Sequence, residues 1–181
     1  MDAITLLRED HRTVEKLFKE FEKAGPRAGK TKAKLVDKII KELSIHAMIE
    51  EQVFYPVVRS AVEDATDEVL EALEEHHIVK WLCSELEKMT PADERFDAKV
   101  TVLIENVRHH VQEEQDDLFP EVRAAMSRKD LAELGEALEK AKKVVPTRPH
   151  PRAPDEPPGN IVAGAVAGVV DKAREAFHIA S

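Results

Sequence analysis

Histidine and glutamate recur in this chain at matched spacings, and side chains of these two types together bind metal ions. His46-Ala-Met-Ile-Glu50 runs on to Tyr55-Pro56-Val-Val58-Arg59, and His110-Val-Gln-Glu-Glu114 runs on to Phe119-Pro120-Glu-Val122-Arg123. Both copies read H-x3-E-x4-[YF]-P-x-V-R. A second pair lies upstream of these. Asp10-His11-x-x-Val14 leads to Leu17, Glu20, Glu22 and Lys23, and Glu75-His76-x-x-Val79 leads to Leu82, Glu85, Glu87 and Lys88. His11 and His76 are 65 positions apart, and His46 and His110 are 64 apart. Two tandem units, each with a lone His and an H-x3-E, can assemble a pseudo-twofold, two-metal site. Residues four apart share a helix face, so each H-x3-E aims an imidazole and a carboxylate at one point. Nitrogen and oxygen ligands without thiolate suit iron, manganese or zinc.

The elements that must position these groups are helices. Only 4% of the 181 residues are aromatic and 35% are charged, a profile that fits a helical bundle better than a sheet protein. Helix A is expected over 2–24, ending before Gly25-Pro26. Helix B runs from about Thr31 to Val62, with Pro56 bending or shortening its last turns. Helix C starts from Thr66, read as its N-cap, and reaches Met89. Helix D opens on Thr90-Pro91 with Asp93 in its first turn and continues to Met126, with Pro120 placed as Pro56 is. Ser127-x-x-Asp130 resembles a capping box for a fifth helix over 128–143. Residues 1–126 are thus read as a bundle, 127–145 as an additional helix and 146–159 as a linker holding six of the ten prolines. A short helix, about 160–177, falls in the final segment, 160–181. Its Gly164-x-x-x-Gly168 suits helix docking rather than membrane insertion.

The ligand candidates fall on the core seams of these helices. Spacings of three and four place Ile4, Leu7, His11, Val14, Phe18 and Phe21 on one face of helix A. Val36, Ile39, Leu43, His46, Glu50, Val53 and Val57 do the same on helix B. Helix C gives Val69, Leu73, His76, Val79, Cys83 and Leu86, and helix D gives Val100, Leu103, Val107, His110 and Glu114. A carboxylate on a core seam costs several kcal/mol unless it is paired, protonated or metal-bound. A lone core histidine is usually structural. Four seam histidines and two seam glutamates, with no seam Lys or Arg to neutralise them, are most simply satisfied by buried metal.

The sequence resembles the hemerythrin-like, or HHE cation-binding, family over about residues 1–125. The likeness rests on Leu-Leu-x-x-Asp-His11, His46-x3-Glu50-Glu, Glu-Glu-His76-x-x-Val-Lys, and His110-Val-x-Glu-Glu114 before Leu-Phe-Pro. The tail resembles those of some actinobacterial members. The resemblance implies an all-α, up-down-up-down four-helix bundle, here with additional C-terminal helices, around two oxo- or hydroxo-bridged iron ions. His11 and His46 would serve one iron, His76 and His110 the other, and Glu50 and Glu114 would bridge. Oxygen-carrying members have a further His where this chain has Ala72, and a bridging Asp five residues past the helix D histidine, where this chain has Glu114 at four. Six ligands, two of them bridging, fill about eight of the twelve positions of two octahedral irons. A site this open favours reactivity over protected storage of dioxygen.

Three function classes follow: an enzyme acting on peroxide or dioxygen, for example by catalase-like disproportionation; a protein that binds or senses dioxygen, nitric oxide or iron; and a bundle holding zinc or manganese without redox work. The small-molecule ligand is hydrogen peroxide, dioxygen or nitric oxide. The net charge of −9 argues against a nucleic-acid partner. No apolar run reaches the ~20 residues of a membrane span. The opening Met-Asp-Ala-Ile-Thr does not read as a signal peptide, so a cytoplasmic setting is expected. Cys83 alone excludes an internal disulfide.

Neighbouring residues compete for the same roles. His77 and His109 adjoin proposed ligands but align in the repeat with Arg12 and Ile45, so both are read as rim histidines. His150 and His178 are read as exposed. Glu51 and Glu113 lie about 100° around their helices from the ligand face and are read as solvated, with Glu51 kept as an alternative extra ligand. Tyr55 aligns with Phe119, which favours packing. Its phenol is nonetheless the candidate catalytic residue, as a hydrogen-bond donor beside the metal pair or, alternatively, as a further ligand. Cys83 and Trp81 are read as core or partly buried.

Overall fold

The seams make four long helices that bury one face each, and a computed structural model describes residues 1–63 and 65–149. In chain order the elements are α1 (Ala3–Lys23), α2 (Gly29–Ile49), a π-helical turn π1 (Glu50–Phe54), and α3 (Tyr55–Ala61). There follow α4 (Thr66–Leu86), α5 (Phe96–Glu113), a second π-helical turn π2 (Glu114–Leu118), α6 (Phe119–Ala125) and α7 (Arg128–Lys142). The second long helix is the run α2–π1–α3 and the fourth is α5–π2–α6. With α1 and α4 they form an all-α four-helix bundle. The expected helix over 160–177, the linker from residue 150 onward, His150 and His178 lie outside the described residues. No helix among the described residues is long and apolar enough to cross a membrane.

Local chemistry explains the ends. Asp2 caps α1 by accepting from Thr5 N at 2.9 Å and Thr5 Oγ1 at 2.7 Å. Ser127 and Asp130 close the expected capping box on α7. Two expected starts differ. Ala65, not Thr66, stands at the cap of α4, with no side-chain hydrogen bond. Helix D begins at Phe96, because Asp93 folds back on Thr90, accepting from its N at 2.6 Å and its Oγ1 at 2.9 Å. That satisfies a separate turn ahead of the helix.

Pro56 and Pro120 do more than shorten a helix. A proline has no N–H for the carbonyl four residues back, and its ring crowds that carbonyl. In the turn before each proline the ladder widens to i→i+5: Tyr55 N–H donates to Glu50 O, and Phe119 N–H to Glu114 O. Both seam glutamates open such a wide turn.

Every seam residue named above is buried. The core forms two apolar clusters. One gathers Val14, Phe18, Leu43, Val79, Leu103 and Val107, and the other gathers Leu7, Ile49, Leu73 and Leu118 with Leu131, Leu134 and Leu138 of α7. Burying each such side chain contributes about 1.5–3 kcal/mol. Helix α7 packs on α1, α2 and π1. It approaches so closely that a Cβ on Gly135 would meet Met1 O at 2.2 Å. Trp81 departs from expectation, with half its surface exposed. Between the two clusters, one layer of the bundle is polar.

Candidate metal centre

In that layer the histidines meet in pairs. His11 Nε2 lies 3.0 Å from His46 Nε2, and His76 Nε2 lies 3.1 Å from His110 Nε2. The two glutamates stand between the pairs. Glu50 Oε2 is 3.2 Å from His46 Nε2 and 3.4 Å from His76 Nε2. Glu114 Oε2 is 3.2 Å from His11 Nε2 and 3.6 Å from His110 Nε2. All six residues expected from the sequence are therefore brought together, each carboxylate reaching both histidine pairs. Among these six, two groups have ligand atoms close enough to hold one ion: His11, His46, Glu50 and Glu114, and Glu50, His76 and His110.

The outer ring nitrogens explain why the inner ones face inward. His76 Nδ1 is 3.0 Å from Glu51 Oε1, and His110 Nδ1 is 2.8 Å from Glu75 Oε2. His46 Nδ1 faces Asp10 Oδ2 at 3.6 Å, and Gln115 reaches His11 Nδ1 at 3.3 Å. The repeat organises these partners. The acid before each lone His (Asp10, Glu75) serves the other histidine of its pair, and the residue after each seam glutamate (Glu51, Gln115) serves a lone His on another helix. An outer carboxylate at hydrogen-bond distance, as at His76 and His110, fixes the Nδ1–H tautomer and leaves the Nε2 lone pair for a metal, whereas at His11 the group facing Nδ1 is the Gln115 amide nitrogen, a donor.

Glu51 is thus not a solvated residue. It is 2% exposed and also binds Lys80 Nζ at 2.9 and 3.1 Å. The wide π turn carries it inward, off the 100° wheel of a regular α-helix. Lys80 is a buried cation beside the seam that the sequence reading did not anticipate. His109 and Glu113 are exposed or half-buried at the rim, and His77 is half-buried.

The repeat-equivalent aromatics flank the centre. Phe119 stacks on His11 with ring centroids 5.8 Å apart, and Tyr55 lies against His76 at 5.5 Å. The Tyr55 hydroxyl donates to Glu114 Oε1 at 3.0 Å. That leaves Glu114 Oε2 toward the histidines.

Burial sets the charge state. It pulls the His46 imidazole down to about 4, against the opposing pull of Asp10. It lowers His76 as well. His110 is raised, because Glu114 and Glu75 outweigh its burial. Burial and the neighbouring Glu114 push the Glu50 carboxyl well above the usual range. Burial would raise Glu114 too, but His110, His11 and His46 outweigh it and lower it. Burial, then Glu114 and Glu50, hold the Tyr55 phenol protonated far above its ordinary value.

These residues fit a metal pair. Both Glu50 oxygens and Glu114 Oε2 are buried without a hydrogen bond among the described residues, which costs free energy unless something else satisfies them. Two ligand atoms each about 2.1 Å from one ion and at right angles to one another would be about 3.0 Å apart, matching the observed nitrogen pairs.

Two openings reach this layer. One cavity of about 360 Å³ is walled mainly by Val14, Phe18, Leu43, Val79 and Val107 and touches all four histidines. Arg108, which also lines it, is ion-paired with Glu15 at 3.0 Å and Glu22 at 2.7 Å. The other, about 130 Å³, lies between α4 and the α5–π2 run and reaches His110 and Glu114.

A four-helix bundle with histidine and carboxylate pairs converging in a buried layer defines a metal-binding class of protein. Residues 2–122 match the Hemerythrin HHE cation binding domain, and the chain belongs to that family. An uncharacterized hemerythrin-like protein of Schizosaccharomyces pombe is 28% identical over 92% of this chain and 82% of its own length. A DNA nickase of Nostoc is 27% identical over 82% of this chain, which spans only 41% of that enzyme. The crystal structure of a hemerythrin HHE cation binding domain-containing protein from Mycobacterium kansasii shares the fold. Its TM-score is 0.68 at 24% identity, covering 79% of this chain and 86% of that one.

Proposed function

We propose that His11, His46, His76 and His110 hold two iron ions with Glu50 and Glu114 shared between them, and that the protein reacts with hydrogen peroxide or dioxygen. The favoured reaction is catalase-like disproportionation. The carrying observation is the pair of Nε2–Nε2 contacts at 3.0 and 3.1 Å with both carboxylates set between them. When bound, two irons supply a two-electron couple, which lets two molecules of hydrogen peroxide become one dioxygen and two waters without another substrate.

The chain's own residues do the rest. Glu51 and Glu75 orient His76 and His110 through Nδ1. Tyr55 holds its proton at the hydroxyl and donates it to Glu114 Oε1, fixing which oxygen of Glu114 faces the histidines. The apolar cavity brings a small neutral molecule to the histidine layer and keeps bulk water from it. Ala72 leaves room beside His110. The cytoplasmic setting expected from the sequence belongs to the same proposal.

One observation favours a second reading. The apolar wall of the larger cavity suits dioxygen or nitric oxide better than peroxide, so binding or sensing without turnover is the alternative. An oxygen electrode separates them. Iron-loaded protein is expected to release dioxygen from hydrogen peroxide, Glu114→Ala to abolish this, and Tyr55→Phe to change the rate more than the iron content. No dioxygen beyond that from an equal amount of free iron would end the enzymatic reading, and reversible oxygenation of the reduced protein would support the alternative.

A further inference from the structure

The larger opening is poorly suited to a cation. Its wall is mainly apolar, and the charged groups that also line it, Arg12, Arg108, Glu15 and Asp116, are balanced in sign, so an ion entering there meets no net negative lining. The smaller opening has the opposite chemistry. Six carboxylates line it, Glu68, Glu71, Glu75, Glu113, Glu114 and Asp117, and no Lys or Arg is among its described lining residues. They are graded by depth. Glu71 and Asp117 are exposed, Glu68, Glu75 and Glu113 are half-buried, and Glu114 is buried. At the inner end stands Glu114, whose buried Oε2 has no hydrogen bond among the described residues and faces the histidines of the centre.

Part-way along stands a set of side chains able to hold an ion. His109 Nε2 is 3.2 Å from Glu113 Oε1 and 3.7 Å from Glu75 Oε1, and the three form a metal-capable group of their own. The other oxygen of Glu75 is 2.8 Å from His110 Nδ1. One carboxylate therefore touches both the outer group and a histidine of the buried layer. The floor beside it is the small side chain of Ala72. Burial and the like charges of Glu121, Asp117 and Glu71 raise the Glu68 carboxyl, a crowding that a passing cation relieves. Like charges three and four apart also weaken the helix that carries them.

We propose that this acidic groove between α4 and the α5–π2 run is the route by which divalent cations enter the buried centre, with Glu75, His109 and Glu113 as a transient cation site on the way. The proposal rests on the metal-centre reading above. Neutral reactants use the apolar cavity, so the molecule has two doors of different chemistry. A negatively lined cleft raises local cation concentration and on-rates by roughly 10- to 1,000-fold.

The test is the rate at which metal-stripped, full-length protein takes up cobalt(II), followed by stopped-flow absorption, with metal content measured at the plateau. Glu68→Gln/Glu71→Gln/Asp117→Asn should fill roughly 10-fold more slowly at low salt, to the wild-type plateau, with the gap closing in about 0.5 M salt. Glu133→Gln/Glu136→Gln/Glu139→Gln removes three charges from α7 and should fill at the wild-type rate. His109→Ala should slow uptake without lowering the plateau. Glu71→Lys/Asp117→Lys alters only exposed positions and should slow it further. Groove variants that fill as fast as the α7 control overturn the route while leaving the centre intact. A wild-type plateau without metal overturns the centre itself, and the route with it.

Discussion

Replacing Glu50 with glutamine should make the metal-free protein more stable and the metal-bound protein less so. Glu50 is fully buried and neither of its oxygens has a hydrogen bond among the described residues. An unsatisfied buried polar group costs about 1–3 kcal/mol, and more when charged. A glutamine keeps the shape, carries no charge and offers an N–H₂ that can donate to Glu114. A gain of about 2 kcal/mol in the metal-free state raises Tm by roughly 4–8 °C for a chain of this size. The pH dependence has a definite sign. The folded carboxyl of Glu50 is raised above its ordinary 4.5, so its contribution in the wild type is full below pH 4.5 and is lost as pH rises through the folded value. The advantage of the variant is therefore larger at pH 8 than at pH 4.5. Metal reverses the order. At a metal concentration 100 times the dissociation constant the wild type gains about 2.7 kcal/mol, whereas a variant binding 100-fold more weakly gains about 0.4. Thermal unfolding of both proteins, after chelation and after anaerobic iron(II), measures all four states. A variant less stable without metal, or one gaining as much from iron as the wild type, refutes the reasoning.

Iron per chain should fall by most of its value in His46→Ala, His110→Ala and Glu114→Ala, while His77→Ala and His109→Ala keep it at equilibrium; elemental analysis decides, and an iron-free His109→Ala beside a loaded His110→Ala would falsify the register. Gly135→Ala should lower Tm by a few degrees in a calorimeter, because a Cβ 2.2 Å from Met1 O and 2.9 Å from Ala3 N costs about 1–3 kcal/mol of overpacking against about 1 kcal/mol of helix propensity; a stabilised variant would show that α7 can shift freely. Burial pushes the Cys83 thiol up to about 12, so its contribution to stability is full below pH 9 and lost as pH rises through 12. A disulfide reagent at pH 8 should react with it only in denaturant, and rapid native labelling counts against its burial.

The bundle and all six inward-facing residues were legible because periodicity and burial agree. His11, His46, Glu50, His76, His110 and Glu114 occupy apolar seam positions, and each is buried between the two hydrophobic clusters. The outer partners were half legible. Asp10 and Glu75 stand in the repeat directly before a histidine, yet their roles lie across the bundle on His46 and His110, a relation that spacing along one helix does not encode. Glu51 was misread for a sharper reason. The wheel assumed 3.6 residues per turn, whereas the proline six residues after Glu50 widens that turn and brings Glu51 to His76 and Lys80. Thr66 and Thr90 show the limit of cap signals. Both residue types suit a cap, but Asp93 turns back on Thr90 and the helix starts only at Phe96.

The two π turns also give the molecule a rotational phase. An extra residue in one turn rotates everything after it about the helix axis, and here both long helices carry the same offset at the same place, directly after a seam glutamate. The offset sets Tyr55 and Phe119 against His76 and His11. Closing the ladder of 50–55 as regular α-helix, with no residue removed, would swing the remainder of that helix by about 100°. Tyr55 would then face away from Glu114, although no residue near the centre had changed identity. Because the twin helices must stay in step, a change of turn width in one half has to be answered in the other for the twofold likeness to survive. Turn width is in this sense a chemical variable of the centre, held constant in duplicate.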